Sequence, residues 1–450
     1  MKRLLIAAGL LLALAAPVPA AAPAAPTDPK TGQPQPLVEM LTLDQARALV
    51  LEKNRDIHKA LEYKNYVQGR YVEERAAALP RFSISAHAYR QRDESQKALT
   101  GGAVPILTDS FQGLVTLNQA LYTWGQIGAA IRAAEVGILT ADDQLRQMRQ
   151  AALRDVTQAF YDVLLAKELN VIARQNLEQR QRHLDEAKRK FEAGTATDYD
   201  VLAAQVAVEN ARPDVIHTDN LIRTARERLG LLLARDGRTL DAQGKLVVSL
   251  SPPPVHDAIL ARALEKRPEL MALKHQRLMA GELVTVYEAG DKPRLDFQGE
   301  YGRREQVAGS NSEYGEIAMG GIFLTWPIFD GLKSRGKVSQ ARSDERRLGI
   351  EQDQLVDKIG LEVTEALNAV GESAEIVRAL SGTVEQATRL LEMAEKGYLY
   401  GVKTRLDVDD AQLNLRQAQG NLATARRDYL VASVTLQWVA GDLGEASAKP

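Results

Sequence analysis

Residues 194–200 read Gly-Thr-Ala-Thr-Asp-Tyr-Asp, and residues 401–407 read Gly-Val-Lys-Thr-Arg-Leu-Asp. The two stretches share glycine, threonine and aspartate at matching positions and lie 207 residues apart in the chain. Each glycine ends a long helical pattern, because glycine takes the left-handed conformation of a helix C-terminus at little cost. Each threonine is suited to cap the next helix, with the aspartate three residues later as its capping-box partner. We therefore interpret the two stretches as the tips of a duplicated helical hairpin.

The segments that lead into these tips predict helices of unusual length. Residues 124–193 contain no proline and little turn chemistry, and a second such segment covers about residues 332–400. A helix of that length spans roughly 105 Å at about 1.5 Å per residue. A shorter helix follows each tip, and its apolar residues alternate in steps of four and three over residues 418–436, which is the spacing of a coiled-coil face. A duplicated antiparallel coiled coil is the simplest interpretation.

A pair of strands precedes each long helix. The predicted strands cover about residues 81–90, 111–122, 294–303 and 317–328. Apolar and polar residues alternate along them, and about ten residues is the length that crosses a bilayer when tilted. Four strands cannot close a membrane barrel, and open edges in lipid leave backbone groups unpaired, so the chain would share a barrel with copies of itself. Two or three copies satisfy this argument equally, and a soluble protein with two β-hairpins packed on helices is the alternative.

The N-terminus predicts a secretory signal peptide over residues 1–20. Lys2 and Arg3 precede an apolar core, and Val18-Pro19-Ala20 forms a small-residue cleavage site. Beyond it, no apolar stretch has the length of a transmembrane helix, so we expect membrane entry through strands alone. The remaining predicted segments are an Ala/Pro-rich lead (21–40), the first repeat (41–235), an equatorial connector (236–256), the second repeat (257–443) and a tail (444–450).

Composition excludes several classes of function. The 57 Lys and Arg nearly balance the 59 Asp and Glu, so the charge shows no bias towards nucleic acid. The absence of cysteine excludes disulfides, a thiol nucleophile and cysteine metal sites. The six histidines are scattered singly, without the clustering that a zinc site requires. With no phosphate loop or catalytic triad in the sequence, we expect no enzyme activity, no catalytic residues, no cofactor and no bound metal.

Over residues 41–443 the sequence resembles the TolC-type outer-membrane efflux channels. The most specific matches are Leu324-Thr-Trp-Pro-Ile-Phe-Asp-Gly331 and Tyr398-Leu-Tyr-Gly-Val-Lys-Thr-Arg-Leu-Asp-Val408. The resemblance implies a mainly α fold with a small β part. Long duplicated helical hairpins form an α-barrel, and four transmembrane strands per chain contribute to a shared, trimeric, twelve-stranded β-barrel.

The resemblance also implies the function. The protein is expected to be a passive exit duct in the outer membrane, serving a tripartite efflux or type I secretion system with its helical tunnel in the periplasm. Its expected partners are two further copies of itself, outer-membrane lipid, a periplasmic adaptor and, through the adaptor, an inner-membrane transporter. The alternative is a soluble periplasmic coiled-coil adaptor or scaffold. Such a protein usually has one hairpin flanked by β-domains, whereas this sequence has two hairpins that each follow a strand pair.

Residue roles carried over from the resemblance concentrate at the second tip. Asp407 and Asp410 match family positions whose carboxylates ring the closed entrance, and their i, i+3 spacing places them on one helix face. Three copies would place six carboxylates in one cation-attracting constriction. The alternative for both is that acids in the first turn of a helix complement its dipole.

Further candidates surround this pair. Lys403 stands where the family often has arginine, and Asp200 matches its partner on the neighbouring tip, so the two form a candidate latch that lacks the bidentate fork of arginine. Tyr398 matches a tyrosine of the closed state, with packing beneath the glycine turn as its alternative. The expected adaptor-docking residues at the tips are Gly194, Thr197, Gly401 and Thr404. Lys403 and Asp410 have only Ala196 and Ala203 as their matches in the first repeat, so the charges particular to the second tip mark the expected gate.

Overall fold

A computed structural model describes residues 39–94, 107–252, 254–308 and 311–444. The predicted signal peptide lies outside the described residues, as do nearly all of the predicted lead and tail. The described part is mainly helical with a smaller strand content, as predicted. The shared twelve-stranded barrel belongs to an assembly rather than to one chain, and it stays a prediction.

Apart from the short strands β1 and β4, the helices and strands follow the same order in the two halves of the chain. The first half contains β1 (Glu39–Leu41), α1 (Leu43–Lys53), α2 (Arg55–Ala76), β2 (Arg81–Arg92), β3 (Leu107–Tyr122), α3 (Gln126–Glu192), α4 (Asp198–Leu232) and β4 (Leu240–Ala242). The second half contains α5 (His256–Lys266), α6 (Pro268–Glu288), β5 (Arg294–Ala308), β6 (Asn311–Thr325), α7 (Lys333–Leu399) and α8 (Arg405–Val439). The long helices α3 and α7 both have 67 residues, and the returning helices α4 and α8 both have 35.

Two large hydrophobic cores hold the helices together, the first mostly from the first half with Val434 and Leu443 added, and the second from the second half. The predicted seam of α8 is largely buried, and Leu422, Ala425 and Tyr429 belong to the same buried cluster as residues of α7 and of the short helix α5. Trp438 packs against both cores, and the guanidinium groups of Arg154 and Arg267 lie 4.4 and 5.4 Å from the centre of its ring. This tryptophan therefore joins the two halves by apolar packing and by cation–π contact.

The four long strands form one antiparallel sheet in the order β2-β3-β5-β6. Ile84, Val115 and Tyr301 are paired across three strands and so share one face. The next row, Ser83, Thr116 and Glu300, lies on the opposite face. At these rows β2, β3 and β5 therefore have one apolar and one polar face, as the sequence alternation predicts, whereas β6 adds Met319 to the polar row.

The last strand differs from its predicted span of about residues 317–328. β6 begins at Asn311, because pairing with β5 continues up to the pair Ala308–Asn311. It ends at Thr325, two residues before Pro327, which has no N–H to donate to a ladder. Alternation of apolar and polar residues does not reveal the early start, because the polar beginning of β6 resembles a loop.

Two matching helix ends allow a paired test of stability. Ala234 follows α4 with a φ of 52°, and Gly441 follows α8 with a φ of 77°, at positions 207 residues apart. A non-glycine residue in the left-handed region costs about 1–2 kcal/mol. We expect Ala234→Gly to raise the free energy of unfolding by about 1 kcal/mol, as measured by urea denaturation of the purified protein.

The reverse change at the other end supplies the matched control. A Cβ atom on Gly441 would lie 2.9 Å from the Cβ of Lys266, so Gly441→Ala adds steric overlap to backbone strain. We expect it to lower the free energy of unfolding by about 2 kcal/mol or more. Equal effects of the same sign for the two substitutions would contradict this account.

Candidate functional site

The first tip is a tight turn closed by backbone and side-chain hydrogen bonds. Gly194 has a φ of 72°, and the N–H of Thr195 donates to the carbonyl of Lys190 at 2.8 Å. Thr197 caps α4: its Oγ1 accepts from the N–H of Asp200 at 3.3 Å, and its own N–H donates to the Asp200 carboxylate at 2.8 Å. The capping box inferred from the sequence is therefore present.

The second tip repeats this geometry. Gly401 has a φ of 73°, and the N–H of Val402 donates to the carbonyl of Gly397 at 2.8 Å. The carboxylate of Asp407 accepts from the N–H of Thr404 at 2.8 Å and from its hydroxyl at 2.7 Å. These bonds hold the pKa of Asp407 below its ordinary value. Asp407 is therefore an ionised capping residue whatever its further role.

The side chain of Lys403 contacts residues of its own hairpin. Its Nζ lies 3.4 Å from Oδ1 of Asp407, and its side chain crosses Gly397, where a Cβ atom would lie 2.5 Å from Cγ of Lys403. The carboxylate of Asp200 bonds Thr197 instead. Within one chain the structure thus does not bring Lys403 and Asp200 together, and a latch between them stays a prediction for contacts between copies.

Asp410 and Tyr398 have different surroundings. Asp410 is exposed, and within the described ranges no hydrogen bond or ion pair engages its carboxylate. Tyr398 packs against the buried cluster of Ala394, Val408 and Ala411. The Nζ atom of Lys190, on the other hairpin, lies 5.4 Å from the centre of the Tyr398 ring. Tyr398 therefore both packs beneath its own turn and contacts the neighbouring hairpin.

Both tips expose large apolar side chains. Tyr199 at the first tip is 77% exposed, and Tyr400 and Val402 at the second are 78% and 79% exposed. Leu399 and Leu406 are also largely exposed. Single exposed apolar residues are common on protein surfaces, whereas several that lie together indicate an interaction site.

A polar network between α3 and α8 lies close to the second tip. Arg180 donates to the carboxylate of Asp409 at 2.5 Å. His183 lies between Arg405, at 3.0 Å from its Nδ1, and the side-chain nitrogen of Gln412, at 3.1 Å from its Nε2. Burial, followed by the charge of Arg405, lowers the pKa of His183.

The sequence interpretation missed this network. A signal was available, because positions 405, 409 and 412 follow the i, i+4, i+7 spacing of one helix face, as positions 180 and 183 follow i, i+3. Metal-ligand spacing, the criterion by which the histidines look isolated in the sequence, does not address hydrogen bonding between helices.

The described residues contain no cluster of three or more His, Asp or Glu side chains that could hold a metal ion. In the same ranges, none of the helices combines the length and the apolarity needed to cross a membrane.

Comparison with known proteins gives a consistent result. Residues 46–235 and 259–442 match the family described as "Outer membrane efflux protein". The alkaline protease secretion protein AprF of Pseudomonas aeruginosa is 27% identical over 380 residues, which are 83% of this chain and 78% of that protein. The outer membrane protein TolC of Vibrio cholerae is 23% identical over 82% of this chain and 84% of that protein.

Among solved structures, the CmeC outer membrane channel of Campylobacter jejuni superposes with a TM-score of 0.78 at 18% identity. The match covers 89% of this chain and 85% of that one. At this identity the likeness shows a common fold.

Proposed function

The chain belongs to the outer membrane efflux protein family, and on that premise we propose that three copies form one duct whose tips face a periplasmic adaptor. Family membership confirms the outer-membrane exit duct over the soluble adaptor or scaffold, and it confirms a passive channel rather than an enzyme. Family members act as trimeric channels in pumps and secretion systems that contain adaptors and inner-membrane transporters.

The unfinished pairing of the sheet is the observation that carries the proposal. Strands β3 and β5 pair across the boundary between the two halves, whereas in the described chain the outer edges of β2 and β6 have no strand partner. Such edges cannot face lipid, since each unpaired N–H and C=O costs several kcal/mol there. In the two halves β5 matches β2 and β6 matches β3. Because β3 pairs with β5 within the chain, β6 of one copy is suited to pair in the same way with β2 of the next.

The helices leave the same kind of gap. Helix α3 packs on α6, where Arg132 pairs with Glu282 at 2.8 Å, and on α8. In the other half, α7 corresponds to α3, α2 to α6, and α4 to α8. Within the described chain, however, α7 does not pack on α2 or on α4 to a comparable extent. A ring of copies supplies both contacts. We propose three copies, as the resemblance to TolC-type channels implies, which gives twelve strands.

The two faces of the sheet indicate its orientation in the assembly. The face that carries Ile84, Val115 and Tyr301 is suited to lipid, and the face that carries Ser83, Thr116 and Glu300 is suited to a water-filled lumen. Helices of 67 residues extend about 100 Å from such a sheet. The tips therefore lie far from the membrane-spanning strands, where an adaptor can reach their exposed apolar side chains.

Conductance measurements test the duct directly. We expect the detergent-extracted protein to behave as a trimer and to add discrete current steps to a planar bilayer. Deleting the gene is expected to increase sensitivity to members of a toxicant panel or to reduce protein secretion, which assigns the class of cargo. Recovery of the mature chain as a detergent-free soluble monomer would overturn the proposal.

A further inference from the structure

His183 occupies the contact between the two hairpins with both ring nitrogens engaged. Nδ1 lies 3.0 Å from Nη1 of Arg405, and Nε2 lies 3.1 Å from the amide of Gln412. A guanidinium group can only donate hydrogen bonds, so Nδ1 must be the acceptor and the ring proton must be on Nε2. The contact with Arg405 therefore requires a neutral imidazole.

Gln412 completes the junction on the other side of the ring. Its side chain is only 5% exposed, and its Oε1 has no partner in the described residues. Turning the amide by half a turn places this oxygen at Nε2–H of His183, where it accepts a hydrogen bond. One end of the amide stays unpartnered in either orientation, so the junction is buried and polar but incompletely satisfied, which limits its strength.

Four charged groups act on His183. Arg180 and Glu186 belong to its own helix, and Arg405 and Asp409 belong to α8. The carboxylate of Asp409 is already engaged by Arg180 at 2.5 Å and by Arg405 at 3.5 Å. The carboxylate of Glu186 lies 3.9 Å from Nδ1 and pairs with Lys190 at 2.8 Å. A protonated His183 would place an N–H against the guanidinium of Arg405, so the bond between them would be lost. The nearest acceptor for that N–H would be Oε2 of Glu186, 3.9 Å away on the same helix as His183.

The junction is not repeated at the matching place in the other half. The residues 207 positions away from His183, Arg405 and Asp409 are Leu390, Asp198 and Leu202. The α3–α8 seam within a chain is therefore polar, whereas the matching α7–α4 seam between copies would bring together Leu390 and Leu202. Only the seam within the chain can respond to protonation of this histidine.

Resting on the duct function proposed above, we propose that His183 is a positioning residue of the periplasmic gate. Through Arg405 and Gln412 it fastens the first turns of α8 to α3. Asp407 and Asp410 lie on those same turns, so the closed placement of the gate carboxylates depends on a neutral His183.

The expected pH dependence follows from the direction of the pKa shift. Burial lowers the pKa of His183 from its ordinary value of 6.5 in the closed junction. The junction is fully stable above pH 6.5 and is lost as the pH falls from there through the lowered pKa. Substitution of His183 separates its protonation from that of the gate carboxylates, because it removes one titratable group and leaves Asp407 and Asp410 in place.

The test compares single-channel conductance of purified trimers in planar bilayers between pH 7.5 and 5. We expect the open fraction of the wild type to rise roughly tenfold over this interval, the effect of losing one hydrogen bond to a charged group. His183→Gln keeps a neutral acceptor for Arg405, so it should stay closed at pH 7.5 and lose the acid response. His183→Arg should be open at pH 7.5.

His217→Gln is the matched control, since His217 lies exposed on the returning helix of the same hairpin. It should keep the acid response of the wild type. An acid response that survives in His183→Gln would overturn the proposal, and so would a folded His183→Arg trimer that is closed at pH 7.5. If neither the wild type nor any variant forms pores, the duct function itself fails.

Discussion

Replacing Ile84 by lysine is expected to remove the protein from the outer membrane. Ile84 is 84% exposed on the apolar face of β2, in one row with Val115 and Tyr301. A lysine on the lipid face costs up to about 2–4 kcal/mol, depending on its depth in the bilayer, and every copy in the assembly carries that cost. Immunoblots of separated membrane fractions should show the variant reduced to a small fraction of the wild-type amount.

Ser83→Lys is the matched control for this substitution. Ser83 neighbours Ile84 in the same strand but lies on the opposite face, in one row with Thr116 and Glu300. A lysine there meets polar side chains and a carboxylate, so the variant should reach the outer membrane at nearly wild-type levels. Equal amounts of both variants in the membrane would contradict the assignment of the two faces.

The hairpin tips could be derived from sequence because their chemistry is local. The bonds that close the first tip link residues at most five positions apart, such as Thr195 to Lys190 and Thr197 to Asp200. Glycine, threonine and aspartate at these spacings leave few other conformations. The repeat at 207 residues then fixes the second tip without further information.

The junction at His183 could not be derived in the same way. Arg405 and His183 are separated by 222 positions, so their contact depends on how α8 is placed along α3. Periodicity shows which face of each helix is apolar, but it does not show which turn of one helix meets which turn of another. Apolar side chains tolerate several such placements, whereas a polar network is satisfied in only one.

Lys403 illustrates a choice between two partners that sequence alone did not make. Both Asp407 and Asp200 are suitable anions, and the resemblance favoured Asp200. In the chain, Asp407 lies four residues after Lys403, in the first turn of the helix that follows, and the ion pair forms there at 3.4 Å. The local partner has the advantage because little additional backbone ordering is needed to bring the two charges together.

Replacing Asp410 by asparagine is expected to lower the cation selectivity of the pore without disturbing a helix cap, which any change at Asp407 would also affect. The carboxylate of Asp407 is held by the N–H and hydroxyl of Thr404 and faces Lys403. Asp410 is exposed and engages no partner in the described residues. Asp410→Asn therefore removes charge from the proposed constriction while leaving the helix cap intact.

The expected size of this change follows from the number of carboxylates. In a trimer the substitution reduces six of them to three, and the ratio of cation to anion permeability should fall by roughly threefold. The reversal potential across a salt gradient in a planar bilayer measures this ratio. A reversal potential identical to that of the wild type would exclude Asp410 from the constriction.

Asp407→Ala removes both a helix cap and a carboxylate of the second tip, and comparison with Asp200→Ala separates these two effects. Both aspartates cap a 35-residue helix through the same bonds to a threonine, and these bonds lower the pKa of each. The two alanine variants should therefore lose the same helix cap and show similar drops in melting temperature. Only Asp407→Ala removes a carboxylate from the second tip, so it alone should shift the reversal potential towards that of a nonselective pore. If Asp200→Ala shifts the reversal potential as much, loss of the cap disturbs the entrance, and the carboxylate of Asp407 has no separate role in selectivity.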